Sequence, residues 1–358
     1  MRTLLFFLYG PVGREYHLEL SYSVLSAQQF LRQDPADIRV VFASDRRNMR
    51  SDLPGEQLLI EDQVIHDWQL GGTFAHAAKQ HVLAYALDLF DTPIVMMDAD
   101  TVFRAHPKYL FDRVGPGRAL LNEREHSLVD SSAWRQWEAL IQDSGGALAG
   151  YEIAPSTLMY NTGVVGLDPS DAHYMADAIA MMREIVRLCD MFTAEQLATS
   201  IVLTQHTEVA TCEDLIEHYW GGPRAYYHYQ IAKLFPEVMV GEPIKSVEGA
   251  LPRLQKMPPI KRVNSLLARL KRFQLSGDKE YQFAYVAYRS ALSCRHNDPA
   301  LANVWATMAL NILLWGAKNR LPKAETAFKD FRPEKLKAQQ WMAPQLQQRW
   351  QEYWKQRA

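Results

Sequence analysis

The chain has 358 residues, long enough for two domains or for one large domain with an appendage. Its 48% hydrophobic content, with 9 Trp, 16 Tyr and 14 Phe, describes a packed globular protein and excludes a disordered one. The formal net charge of −2 conceals an asymmetry. Residues 255–358 hold 19 Lys and Arg against 7 Asp and Glu, a net of +12, which leaves −14 on residues 1–254. Segments of opposite sign imply surfaces with different partners.

Thr3–Tyr9 is an apolar run stopped by Gly10-Pro11 and reads as a first strand. Glu15–Arg32 has the period of an amphipathic helix, Ile38–Ala43 reads as a second strand and Gln57–Ile60 as a third. Phe74–Phe90 carries Ala78, Val82, Ala86 and Leu89 on one face, a helix with Thr73 as its expected N-cap. Ile94–Met97 is a short continuous apolar run after Pro93, the pattern of a buried strand in a mostly parallel sheet. Arg118–Leu121 and Met159–Leu167 read as further strands, Asp171–Cys189 and Ala194–Leu203 as helices, and His218–Pro223 as a turn-rich loop. Strand–helix–strand alternation is the grammar of an α/β fold. From Pro258 onward the pattern is helical only, with helices expected over Ile260–Phe273, Glu280–Ser293, Pro299–Trp315 and Glu334–Lys355. Domains are therefore expected at 1–257 and 258–358, cut at Pro258-Pro259.

Three cysteines without CxxC spacing, Cys189, Cys212 and Cys294, make no disulfide framework and read as thiols of a reducing compartment. The opening apolar run is too short for a signal peptide, and no later stretch reaches the roughly 18 residues of a membrane span. A cytoplasmic location is expected.

The chemistry concentrates where the Ile94–Met97 strand ends in Asp98-Ala99-Asp100. Open α/β sheets bind ligands at the carboxyl ends of their strands. Two hard oxygen donors there suit Mg²⁺ or Mn²⁺ bridged to substrate phosphates. Lys79, on the preceding helix, is placed to reach the same phosphates. Asn161-Thr162-Gly163 opens a strand whose glycine lets a ligand approach the backbone. His218, followed by Gly221-Gly222-Pro223-Arg224, adds an imidazole, a tight loop and a cation; His228 competes with it as a ligand. Taken singly, each feature has an ordinary explanation as a surface lysine, a strand-end turn or a loop histidine. Their order along one chain is what carries weight.

That order, from Lys79 through Asp98-Ala99-Asp100-Thr101, Asn161-Thr162-Gly163-Val164 and Glu195-Gln196 to His218-Tyr-Trp-Gly-Gly-Pro-Arg, resembles the GT-A-fold nucleotide-sugar glycosyltransferases. The likeness is to the glycogenin and lipopolysaccharide galactosyltransferase type, which are retaining enzymes, and it covers roughly residues 3–235. It implies a mixed, mostly parallel sheet flanked by helices, here followed by a basic helical extension. By the same resemblance Asp98, Asp100 and His218 would ligate Mn²⁺ (or Mg²⁺), and Lys79 and Arg224 would neutralise the departing diphosphate. Tyr9 and Gly10 would lie near the nucleoside base. Asn161, Thr162 and Gly163 would face the donor sugar with Glu195 and Gln196, one of the latter pair lying beneath the anomeric carbon. Gly221 and Gly222 would shape the diphosphate loop. Two departures stand out: Pro155-Ser156-Thr157 occupies the place of an acidic residue ahead of the Asn-x-Gly strand, and Arg224 replaces the usual Lys, a change of donor geometry at constant charge.

The expected partners are a nucleotide-sugar donor, with a UDP-sugar favoured, and a glycan or lipid-linked acceptor. The basic amphipathic helix Ile260–Phe273 suits the inner face of an anionic membrane, and Trp305, Trp315, Trp341, Trp350 and Trp354 would suit its interface. The alternative for the tail is that its apolar faces pack on one another or on the catalytic domain. No nucleic acid is expected. Two other readings are a non-catalytic nucleotide-binding or scaffold protein using the tail, and a nucleotidyltransferase. The second calls for a Gly-rich basic loop, of which Tyr9-Gly10-Pro11-Val12-Gly13-Arg14 is a poor version.

Overall fold

A computed structural model describes residues 1–131, 133–221, 224–235, 251–271, 275, 279–316 and 326–356. The described residues fall into two compact units: residues 1–218 with 251–252, and residues 219–235 with 253–356. The sequence placed a single cut before Pro258; the helix Arg224–Leu234 instead goes with the later segment.

In the first unit β1 (Arg2–Leu8), α1 (Arg14–Leu31), β2 (Ile38–Ser44) and β3 (Glu56–Leu59) lead to α2 (Asp62–Trp68), α3 (Ala77–Phe90) and β4 (Ile94–Met97). Then come β5 (Thr101–Phe103), α4 (Lys108–Phe111), β6 (Arg118–Ser127), α5 (Trp134–Asp143), the hairpin of β7 (Ala147–Leu148) and β8 (Tyr151–Glu152), and β9 (Leu158–Leu167). The unit closes with α6 (His173–Leu188), α7 (Ala194–His206), β10 (Glu208–Thr211) and β11 (Ile216–His218). Seven strands form one sheet in the order β3-β2-β1-β4-β9-β6-β10, with only β9 antiparallel to its neighbours. This is the mixed, mostly parallel α/β sheet that the resemblance implied.

The sheet is covered on both faces, which is why its central strands are apolar without alternation. On β4, Ile94 and Met96 enter the core shared with α3, α6 and α7, while Val95 and Met97 enter the core shared with α1. On β1, Leu5 goes to the first core and Leu4, Phe6 and Leu8 to the second, the two-residue period of a pleated strand. At the turn before β4, α3 ends on Asp91 in the left-handed region (φ 47°), a conformation that Asp tolerates. Helix α3 begins at Ala77 without a side-chain cap. Thr73 lies in the turns ahead of it and donates to the Leu70 carbonyl, so it does not serve as the expected N-cap.

Strands β6 and β9 run on past the carboxyl end of β4 as a two-stranded ribbon. Val164 pairs with Met97 at the last rung of β4, whereas Leu158–Asn161 pair only with Glu123–Ser127 of β6. Irregular register at Leu121/Glu123 and Arg124/His126 twists this ribbon.

The second unit comprises α8 (Arg224–Leu234), α9 (Arg262–Leu270), α10 (Lys279–Cys294), α11 (Pro299–Asn311) and shorter elements that end in the helix Pro344–Lys355. The single helix expected over Glu334–Lys355 is broken into Pro333–Leu336 and Pro344–Lys355, since Pro344 has no N–H to continue a helix and is suited to its first turn. The unit has its own aromatic core. Trp305 and Trp350 are buried in it beside Phe328, Phe331 and Tyr288, and Trp341 and Trp354 pack against it. These four tryptophans are therefore core residues rather than the membrane-interface belt the sequence suggested; the Trp315 side chain lies outside the described residues. No helix among the described residues is long and apolar enough to cross a membrane. All three cysteines are free.

Candidate active site

The carboxyl end of β4 is the centre of the site. Asp98 follows the strand directly, and its backbone N–H donates to the Gly163 carbonyl at 2.8 Å, which fixes the turn against β9. Thr101 closes the turn by donating to the Asp98 carbonyl at 2.7 Å and meets Ser23 of α1 at 2.9 Å. Asp100 is thereby turned inward and buried.

The strand β5 that leaves this turn pairs antiparallel with β11, with Thr101 opposite His218. A three-residue ladder thus carries the imidazole to the carboxylates. The sequence placed His218 in a loop; it is the last residue of a strand. Its Nε2 lies 3.2 Å from Asp100 Oδ1, and one ligand atom each of Asp98, Asp100 and His218 lie within 4.8 Å of one another. His228, the rival ligand, is a residue of α8 in the second unit.

The His218 ring is oriented by its other nitrogen. Nδ1 lies 2.9 Å from Asn161 Oδ1. The Asn161 amide is itself held, its Oδ1 accepting from the Gly163 N–H at 2.8 Å and its Nδ2 donating to Glu125 Oε1 at 3.0 Å. Asn161 Oδ1 can only accept, so Nδ1 carries a proton, which turns Nε2 toward the carboxylates. Two hard carboxylates, an imidazole so oriented, and an amide behind it make a donor set and outer partner that could hold a divalent cation. Here Nε2 faces an acceptor oxygen, and a cation between them would meet both. The residues fit a metal.

Gly163 owes its identity to this ring. A Cβ built on it would fall 2.3 Å from His218 Cε1 and 2.4 Å from Nδ1. The sequence expected a ligand to approach this backbone; in the structure the close approach is made by the histidine.

Lys79 reaches across from the first turn of α3. Its Nζ lies 2.8 Å from Asp98 Oδ1, 2.9 Å from Oδ2 and 3.2 Å from the Thr162 carbonyl. Burial disfavours the ammonium, but Asp98 and Glu195 outweigh it, and the Lys79 pKa is raised. This is a largely buried, committed lysine rather than a solvated one.

Glu195 and Gln196 open α7. Burial, moderated by Lys79 and reinforced by Asp98, pushes the Glu195 carboxyl up to about 7, while Thr162 Oγ1 donates to it at 3.2 Å. Gln80 holds the same turn from α3 through the Glu195 carbonyl and Thr199. Gln196 Nε2 donates to Glu125 Oε2 at 2.9 Å. Glu125 therefore bridges Asn161 and Gln196, a residue that the sequence reading missed because it lies beyond the expected end of β6.

At the end of β1, Tyr9 stacks on Phe7 and donates to the Ala75 carbonyl at 2.9 Å. Burial raises its phenol pKa, opposed by Lys79 and aided by Asp98 and Glu195. Gly10 takes φ +74°. Its N–H donates to Asp45 Oδ2 at 2.6 Å and its carbonyl accepts from Asn48. Asp45, at the carboxyl end of β2, and Asn48 are buried and were not singled out from the sequence. Phe192, just ahead of α7, is 73% exposed and meets His76 edge-on.

Of the remaining expected residues, Gly221 has φ +77°, Arg224 begins α8 in the second unit, and Gly222 lies outside the described residues.

The strand order and the site at the carboxyl end of β4 are consistent with a GT-A-like α/β fold. Among solved structures the chain is similar to mouse xyloside xylosyltransferase 1 in its apo form, at 11% identity over 59% of this chain and 85% of that one, with a TM-score of 0.40. A likeness of that degree fixes neither activity nor ligand. No protein-family model matches the chain, and no curated protein matches it.

Proposed function

We propose that the chain is a metal-dependent glycosyltransferase that moves a sugar from a nucleotide-diphosphate donor, a UDP-sugar in preference, to a hydroxyl of a glycan or lipid-linked saccharide. The observation that carries this reading is the convergence of Asp98, Asp100 and His218 at the carboxyl end of β4, with the charged Lys79 beside them.

Asp98, Asp100 and His218 would hold Mn²⁺ or Mg²⁺, which supplies Lewis-acid stabilisation of the charge on the departing diphosphate. Lys79 adds a fixed positive charge at the same place, already desolvated and so effective at short range. Arg224 is assigned to the diphosphate, with Gly221 and Gly222, by the sequence resemblance alone. Asp45 and Asn48 brace Gly10 where the nucleoside would lie next to Tyr9. By the resemblance Asn161, Thr162 and Gly163 would face the donor sugar, and Glu125 ties Asn161 to Gln196. By the same resemblance a residue near the Glu195-Gln196 position would lie beneath the anomeric carbon; Glu195 is held by Thr162 and Gln196 by Glu125. During transfer the bond from the anomeric carbon to the diphosphate breaks, a bond to the acceptor oxygen forms, and the hydroxyl proton leaves with the diphosphate. The retaining course follows the resemblance.

The test is a screen of nucleotide sugars for metal-dependent donor hydrolysis, the slow transfer to water that such enzymes show when no acceptor is present. Release of UDP or another nucleoside diphosphate in the presence of Mn²⁺, abolished by EDTA and by Asp100→Asn, supports the reading. No release from any donor, together with no metal-dependent nucleotide binding, refutes it.

A further inference from the structure

Helix α9 presents an apolar face to solvent that the packing of its unit leaves uncovered. Asn264 and Ala268 are its buried side, with Asn264 donating to Ser290 of α10 at 3.1 Å. On another side, Val263, Leu266 and Leu270 are 54%, 55% and 71% exposed, and spacings of three and four place them on one stripe. Arg262 and Arg269, themselves exposed, run along the edge of that stripe, and Lys261 precedes it. From Leu251 to Ser276 the sequence carries Lys and Arg but no Asp or Glu. Exposed Met257 lies just upstream.

We infer that this face of α9 binds the headgroup region of an anionic lipid bilayer. An interfacial helix needs an apolar stripe rimmed by basic side chains, the aliphatic groups entering the acyl boundary while the cations remain among lipid phosphates. Nucleic acid satisfies the charge but offers nothing to three aliphatic side chains, and among the described residues the stripe holds no aromatic ring on which a base could stack. Four of the tryptophans that suggested a membrane surface in the sequence, Trp305, Trp341, Trp350 and Trp354, belong to the core; the aliphatic stripe is a separate feature. With few apolar groups on a nine-residue helix, attachment depends on charge and weakens with salt.

The test is flotation of the full chain with phosphatidylcholine vesicles containing phosphatidylserine, against vesicles of phosphatidylcholine alone. Binding is expected only to the anionic vesicles and is lost in high salt. Leu266→Asp/Leu270→Asp and Arg262→Gln/Arg269→Gln should each lower it by about tenfold or more, while Val129→Asp, an equally exposed apolar site in the first unit, leaves it unchanged. Circular dichroism verifies that each variant is folded. Absence of binding to anionic vesicles, or equal binding by the leucine variant, overturns the inference. So does binding to duplex DNA that matches vesicle binding and ignores Leu266 and Leu270. No donor or metal enters the measurement, so its outcome is independent of the transferase reading.

Discussion

At the scale of single residues, the site is a set of mutual constraints rather than of separate ligands. His218 is aimed by Asn161, and Asn161 by Gly163 and Glu125. Removing the amide with Asn161→Ala should weaken Mn²⁺ binding about 10- to 100-fold, as loss of an outer-shell partner does, with little loss of fold. Isothermal titration measures it. Gly163→Ala tests the same orientation from the other side, because the new Cβ must displace the ring. Its counterpart is Gly166→Ala, whose Cβ would strike Val114 and Leu120 instead. Both should destabilise by about 1–3 kcal/mol through overpacking, but only Gly163→Ala should lose the metal. Glu195 makes a pH-dependent prediction. Its carboxyl is raised to about 7 in the folded chain from an ordinary value of 4.5, so the fold favours the protonated form. The stability this contributes is complete below the unfolded value and is lost as pH rises through about 7. Glu195→Gln should therefore gain stability relative to the parent between pH 5 and pH 8, by about 3 kcal/mol at most. Denaturant melts at the two pH values decide it, and an unchanged difference would show that Glu195 is not held in a desolvated state.

At the scale of elements, the ladder of β5 with β11 is what turns a pair of aspartates into a three-ligand site. Ser26 Oγ accepts from the Phe103 N–H, and Arg104 pairs with Glu217 across the two strands. Arg104→Ala should cost about 1.5–3 kcal/mol, the value of a charged hydrogen bond, and lower metal affinity without touching a ligand. Calorimetry on the variant checks both effects. This ladder also marks where the sequence stops being legible. The helices α1, α3 and α6 were readable from their period, and β1 and β4 as continuous apolar runs with Gly-Pro or Pro at one end, because these patterns are local. Strands of three residues have no period, and His218 reaches Asp100 only through a pairing more than a hundred residues distant. Glu125 was hidden for a related reason: the irregular register of β6 breaks its alternation after Leu121, so the strand looked finished too early. Asp45 and Asn48 follow a well-read strand, yet nothing local distinguishes them from ordinary turn residues. Asp98-Ala99-Asp100 was legible because strand end and donor set coincide in one short stretch.

At the scale of the whole molecule, the charge changes sign near residue 255, while the described residues divide into two compact units with their own cores, the later one including residues 219–235. The acidic part carries the carboxylate and imidazole site; the basic part carries an aliphatic stripe on α9. The central claim is that the carboxylate site takes a metal together with a nucleoside diphosphate. Its most direct measurement is a thermal shift of the full chain with UDP, with Mn²⁺, and with both, for the parent and for Asp100→Asn. Metal and nucleotide together should raise the midpoint by more than the sum of the separate shifts. Ligand at about 100 times its Kd stabilises by about 2.7 kcal/mol, and the variant should lose the joint effect. Nucleotide binding indifferent to the metal, or an Asp100→Asn variant that shifts like the parent, would contradict the account.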